Sequence, residues 1–194
     1  MKNAKPKVGI LALQGDFEAH GRALARAGAE PSEVRTAGQL EAVDGLVIPG
    51  GESTTMLKLL DEERLFEPLR SFGARKPVFG TCAGAILLAS EVTNPRQDSL
   101  GLMDIGVERN AYGRQLDSRI GHLQPEERGR LTDNDIEAVF IRAPIIRRVG
   151  QEAKVLARYQ SDPVLVEQGR HLVATFHPEL TRDARVHSLF LEKL

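Results

Sequence analysis

Three short stretches of this chain hold side chains able to carry out acyl transfer. In Gly80-Thr81-Cys82-Ala83-Gly84 the only cysteine stands between two glycines, where a short apolar run ends and a helix-compatible one begins. That is the shape of a nucleophile elbow, a strained strand-to-helix turn on which bulky neighbours would clash. The turn aims the sulfur at the open N-terminus of the next helix, where free N–H groups and the helix dipole favour a thiolate. An ordinary thiol, with a pKa of about 8.5, is mostly protonated at neutral pH, so this placement matters. The plainer alternative is a small buried hydrophobe.

The second stretch is Phe176-His177-Pro178-Glu179. On an extended segment residues two apart leave the same face, and Pro178 favours that conformation at His177. A carboxylate beside the imidazole fixes its tautomer and stabilises imidazolium, which completes a Cys-His-Glu set. A satisfied structural histidine is the alternative. The third stretch, Pro49-Gly50-Gly51-Glu52-Ser53, lets backbone approach a ligand and present an N–H. A plain tight turn would read the same way, whereas a phosphate cradle lacks the lysine spacing it needs. An oxyanion hole requires two converging donors, and Gly51 N–H with Ala83 N–H is the natural combination.

These stretches follow elements that would place them together. Lys7 to Leu13 is a continuous apolar run, suited to a strand buried on both faces of a parallel sheet. Asp16 can cap a helix to about Ala27, closed by Gly28. Further strands are predicted at Glu33 to Thr36, Ala42 to Pro49 and Pro77 to Gly80, with helices through Leu60, over Glu67 to Gly73, and after Cys82 up to a stop before Pro95. Strand, loop and helix at this spacing predict βαβ units in an α/β, mostly parallel, doubly wound sheet, whose ligands bind at the carboxyl ends of the strands. Beyond Leu100 short strands are predicted at Met103 to Glu108, Gln115 to Ile120, Ala138 to Ile141, Val155 to Tyr159, Pro163 to Glu167 and His171 to Phe176. Gln124 to Asp135 reads as a charged surface loop, and a helix from Arg182 to Leu194 packs down the end through Val186, Leu189, Phe190 and Leu194.

At 194 residues the expectation is one domain, 1–194. A net charge of -1 supplies no global field toward nucleic acid or an anionic membrane, and an aromatic content of 5% leaves few stacking platforms. One cysteine excludes an intramolecular disulfide, and no zinc-ligand spacing is present. The apolar run Val8 to Leu13 is too short for a secretory leader or a membrane span, so the cytoplasm is the expected location.

PGGEST at Pro49 to Thr54, GTCAG at Gly80 to Gly84 and FHPEL at Phe176 to Leu180, in that order, resemble the class I (triad) glutamine amidotransferases. LALQGDFEAH at Leu11 to His20, GLMDIGVERNAYGRQLDS at Gly101 to Ser118 and FIRAP at Phe140 to Pro144 resemble, more narrowly, the glutaminase subunits of pyridoxal 5'-phosphate synthase. The similarity runs from Val8 to the C-terminus. It implies that Cys82 is the nucleophile, His177 the general base and acid, and Glu179 the residue that orients it. It also implies that Gly51, Glu52, Ser53, Arg109, Ile141 and Arg142 line the site for L-glutamine, arginine being suited to a substrate carboxylate. Arg119, Arg128 and Arg130 match nothing functional and read as solvated surface.

The implied reaction is glutamine hydrolysis through a thioester, with no metal or organic cofactor. Its ammonia would pass to a (β/α)8-barrel synthase subunit for vitamin B6 biosynthesis, with Gln14 near that interface. A glycine-pair peptide held with its donor inward only by the partner would make the isolated subunit a poor glutaminase. Another amidotransferase, a cysteine peptidase, or a binding module that keeps the fold without the chemistry are the rival readings.

Overall fold

The computed structural model describes residues 4–111, 118–126, 131 and 135–194. Its frame is a nine-stranded sheet in the order β2-β1-β3-β4-β12-β11-β10-β7-β8. The parallel half comprises β1 (Lys7–Leu11), β2 (Glu30–Val34), β3 (Gly45–Ile48), β4 (Val78–Thr81) and β12 (His171–Ala174). The other four strands, β7 (Ser118–Pro125), β8 (Ile136–Ile141), β10 (Lys154–Tyr159) and β11 (Asp162–Gln168), continue it antiparallel. A small separate sheet is formed by β5 (Ala89–Thr93), β6 (Met103–Glu108) and β9 (Ile145–Val149).

The continuous apolar runs mark strands covered on both faces. Within β3, Leu46 and Ile48 enter one core cluster and Val47 the other, and Val78 and Phe79 of β4 divide in the same way. Helices α3 (Ser53–Glu62), α4 (Phe66–Arg75) and α5 (Ala83–Leu88) contribute Met56, Leu60, Phe72 and Leu88 to the first cluster. Helices α1 (Phe17–Ala27) and α6 (Arg185–Leu191) close the opposite face with Leu24, Val186, Leu189 and Phe190. Asp16 caps α1 by accepting from Ala19 N–H, and Gly28 ends it in the left-handed conformation at φ 103°.

Several expectations are corrected. The second strand lies earlier than Glu33 to Thr36. The helix after Cys82 ends at Leu88 and runs straight into β5, while β9 and the one-turn helix α2 (Ala37–Glu41) were not predicted. The terminal helix is shorter than expected, and Leu194 is 40% exposed. Gln124 to Asp135 is not all loop: Gln124 and Pro125 belong to β7, and Leu131 is buried in the second cluster. Arg119 is more than solvated surface, since its guanidinium lies 5.2 Å from the ring centre of Tyr159 and 5.8 Å from that of Phe140. Arg128, Arg130 and the start of the strand predicted at Gln115 fall outside the described residues. Among the described residues no helix is long and apolar enough to cross a membrane.

Candidate active site

The site lies at the carboxyl ends of β3, β4 and β12, three neighbours in the parallel half. Cys82 follows β4 and caps α5 with φ 48° and ψ −105°, a conformation that non-glycine residues avoid. The sheet holds it there, its N–H donating to Ala174 O at 2.8 Å. Close packing dictates the flanking glycines: a β-carbon on Gly84 would stand on Ile48 O, and one on Gly80 would lie 2.5 Å from the Gly84 carbonyl carbon. Ala83 N–H, first in the helix, has no intrahelical acceptor and remains available to a ligand.

His177 emerges just past β12, its N–H donating to Val139 O at 2.8 Å. Its Nδ1 lies 2.7 Å from Glu179 Oε1, which leaves Nε2 for the sulfur. The pair does not form on an extended segment as expected. Pro178 opens a 3-10 turn, Pro178–Leu180, and Glu179 swings back across its start toward the ring. The proline φ that suits extended backbone equally suits the first position of such a turn. Burial on its own would lower the His177 pKa, but hydrogen bonds and charge from Cys82 and Glu179 outweigh it and push it up to about 10. Imidazolium is therefore the state of His177 that this arrangement favours.

Gly51 has φ 145°, a region open to glycine, and the Gln14 side chain lies against it while donating from Nε2 to Glu52 O at 2.6 Å. Glu52 caps α3, accepting from Thr54 N–H at 3.1 Å and from Thr55 N–H and Oγ1 at 2.7 Å. Burial opposes ionisation of Glu52, yet the Thr55 and Thr54 hydrogen bonds bring its pKa down to about 2. Arg109 reaches the same carboxylate at 3.4 Å and donates to Thr54 Oγ1 at 2.8 Å. Ser53 Oγ is turned away, donating to Gln97.

A pocket of about 330 Å³ opens onto this constellation, lined by Gly51, Glu52, Ser53, Cys82, Ile86, Arg109, Asn110, Ile141, Arg142 and His177. Eight of the ten residues singled out from sequence line it; Glu179 and Ala83 lie behind its wall, Ala83 beside the sulfur and Glu179 beneath His177. Ile86 and Asn110 were not foreseen. Ile86 was hidden in a helix that is apolar throughout, and Asn110 stands next to Arg109 without a signal of its own. Arg142 lines the pocket from a left-handed backbone, φ 44°.

A nucleophile elbow at the end of a central parallel strand, with a His-Glu pair at the end of the adjacent one, defines the class: the fold is that of the class I glutamine amidotransferases. It superposes on a crystal structure described as a glutamine amidotransferase with a TM-score of 0.87 at 48% identity, covering 96% of this chain and 97% of the other. PurLQS from Thermotoga maritima shares the fold at a TM-score of 0.72 and 19% identity, covering 97% of this chain and 99% of the other. The chain belongs to the SNO glutamine amidotransferase family, whose model matches residues 10–194. It is 66% identical to the pyridoxal 5'-phosphate synthase subunit PdxT of Solibacter usitatus over 97% of this chain and 99% of that protein. It is 56% identical to the PdxT of Koribacter versatilis, over 96% of this chain and 94% of that protein.

Proposed function

We propose that this chain, acting as one cytoplasmic amidotransferase domain, is the glutaminase subunit of a pyridoxal 5'-phosphate synthase and hydrolyses L-glutamine to glutamate and ammonia. The observation that carries the reading is the Cys82, His177 and Glu179 array at the floor of a small pocket rimmed by charges of both signs. The α-ammonium of glutamine has a partner in the ionised Glu52 and the α-carboxylate one in Arg109, which directs the side-chain carboxamide down to Cys82. Thiolate attack on the amide carbon puts the oxyanion against Gly51 and Ala83 N–H, and His177 gives its proton to the departing ammonia. Water, deprotonated by His177, then attacks the thioester and releases glutamate.

The ammonia passes to a (β/α)8-barrel synthase subunit that consumes it. Gln14 ties the loop after β1 to the backbone next to Gly51, so contact with a partner on that loop is felt at an oxyanion donor. An oxyanion donor is worth about 10²- to 10³-fold in kcat, enough to keep the free subunit slow. The deciding experiment is glutamate release from L-glutamine, measured with the chain alone and with its cognate synthase subunit. Stimulation that vanishes in Cys82→Ala supports both reaction and partner; full activity alone removes the gating, and no activity in either state removes the glutaminase.

A further inference from the structure

Beneath the triad lies a sealed polar cluster that glutamine hydrolysis as described does not use. His20 of α1 and His187 of α6 are both fully buried, against Thr81 of β4 and Glu179. His20 Nδ1 is 3.0 Å from His187 Nε2, and His20 Nε2 is 3.1 Å from Thr81 Oγ1 and 3.4 Å from Glu179 Oε2. Two atoms at the ends of the cluster, Glu179 Oε2 and His187 Nδ1, are buried with no hydrogen-bond partner. Phe79 meets both imidazoles in T-shaped contacts, ring centres 6.4 and 5.8 Å apart.

Which nitrogens carry hydrogen decides what the cluster does. Both rings are neutral at pH 7: burial, then the neighbouring His187 and His177, hold His20 well below its usual value, and burial with Arg26 nearby holds His187 at about 4. Each ring therefore has one N–H. If His20 carried it on Nδ1, His187 Nε2 would have to accept, so the His187 proton would sit on Nδ1 as a buried donor with no acceptor. His20 Nε2 would then also face the Glu179 carboxylate lone pair to lone pair. If His20 carries it on Nε2, the proton points between Thr81 Oγ1 at 3.1 Å and Glu179 Oε2 at 3.4 Å, and His187 Nε2–H donates to His20 Nδ1. The one group left over is then a bare lone pair on His187 Nδ1, and orphaned donors are the rarer fault in buried structure.

We propose, resting on the glutaminase reading, that His20 is a positioning residue: its Nε2–H donates to Glu179 Oε2 and holds the carboxylate with Oε1 toward His177. His187 fixes the His20 tautomer in turn, as a carboxylate does for a triad histidine. The triad is thereby continued to α6 along the face of the sheet that α1 and α6 cover, in the order Cys82, His177, Glu179, His20, His187.

Two measurements test this. Long-range proton–nitrogen correlations on the full chain labelled with 15N-histidine, the His20 ring assigned by its loss in His20→Gln, read the tautomer directly; Nε2–H supports the proposal and Nδ1–H overturns it. Kinetics in the complex with the synthase subunit compare His20→Leu with His20→Gln, whose amide can place an N–H near the Nε2 position. A lost hydrogen bond to a carboxylate predicts about 10- to 100-fold lower kcat for His20→Leu, with KM for glutamine nearly unchanged and most of the rate recovered in His20→Gln. Wild-type kcat in His20→Leu, or equal damage to kcat and KM in both variants, overturns it. Should His20→Leu fail to fold, the tautomer and the His20→Gln rate still decide. Wild-type complex inert toward glutamine would remove the glutaminase reading, while the tautomer would report independently on the hydrogen bond.

Discussion

Gly50 lies directly against the imidazole of His177: a β-carbon on that glycine would stand 2.5 Å from His177 Cε1 and 3.2 Å from Cys82 Cβ. The obstructing atom is the far end of a side chain, so Gly50→Ala displaces the ring and leaves the backbone in place. A reacting group displaced by about 1 Å costs roughly 10²-fold in rate, so the proposed role of His177 as base predicts a large loss. Gly50→Ala is therefore expected to lose that much in kcat with a urea midpoint close to wild type. Gly84→Ala meets the Ile48 carbonyl instead, and backbone cannot step aside. Loss of several kcal/mol of stability, or of soluble protein, is the expected result there, as for severe overpacking in a core.

Cys82→Ala is expected to lower glutamate release by at least about 10⁴-fold, as removal of a nucleophile does, and to abolish labelling by a glutamine-shaped electrophile. The left-handed backbone at Cys82 adds a second test. Alanine keeps the strain and glycine relieves it, so Cys82→Gly should exceed Cys82→Ala in stability by about 1–2 kcal/mol, although both are inactive. Equal urea midpoints for the two would show that the elbow stores no strain.

Stability should fall on both sides of neutrality, for opposite reasons. His177 is raised to about 10, so what it contributes is complete below its unfolded value near 6.5 and is lost as pH climbs through about 10. Cys82→Ala, lacking a principal cause of that shift, should flatten the alkaline limb. His171 and His187 are both lowered to about 4, chiefly by burial, so their contribution is complete above 6.5 and is lost as pH falls toward 4. Each adds a slope of up to about 1.4 kcal/mol per pH unit in that window. Urea unfolding between pH 4 and 7 should therefore be shallower in His171→Gln than in wild type.

Glu52 serves α3 and the pocket at once, so Glu52→Ala should show two separable losses. Removing the cap costs about 1 kcal/mol of stability, within the usual range for such residues. Removing the carboxylate also releases Arg109 and, on the proposed binding mode, takes away the partner of the substrate ammonium, so KM for glutamine should rise about tenfold while kcat changes little. A rise in KM that Glu52→Gln reverses completely would assign the effect to the cap alone.

The elbow was legible because geometry forces its sequence: a cysteine at positive φ above a helix packed on Ile48 O leaves room only for glycine at 80 and 84. The His177 and Glu179 pair was read correctly as a pair but for the wrong reason, since Pro178 fits both an extended segment and the 3-10 turn that forms. His20 and His187 could not be read. They lie 167 positions apart on two amphipathic helices, and nothing along the chain distinguishes a histidine that meets another from one satisfied on its own. The β9 strand was missed because two of its five residues, Arg147 and Arg148, turn outward into ion pairs with Glu108 and Asp104, which blurs its apolar signal.

The register that sets Thr81 beside Ala174, with Cys82 N–H bonded to Ala174 O, joins segments almost half the chain apart. The elbow is local, but its surroundings are not: both the carbonyl that holds Cys82 N–H and the imidazole beside it come from the segment around β12. A chain in which β12 has not docked on β4 is expected to carry an unreactive thiol. Electrophilic labelling of Cys82 during refolding is therefore expected to lag until β12 pairs with β4, and so to report completed sheet assembly.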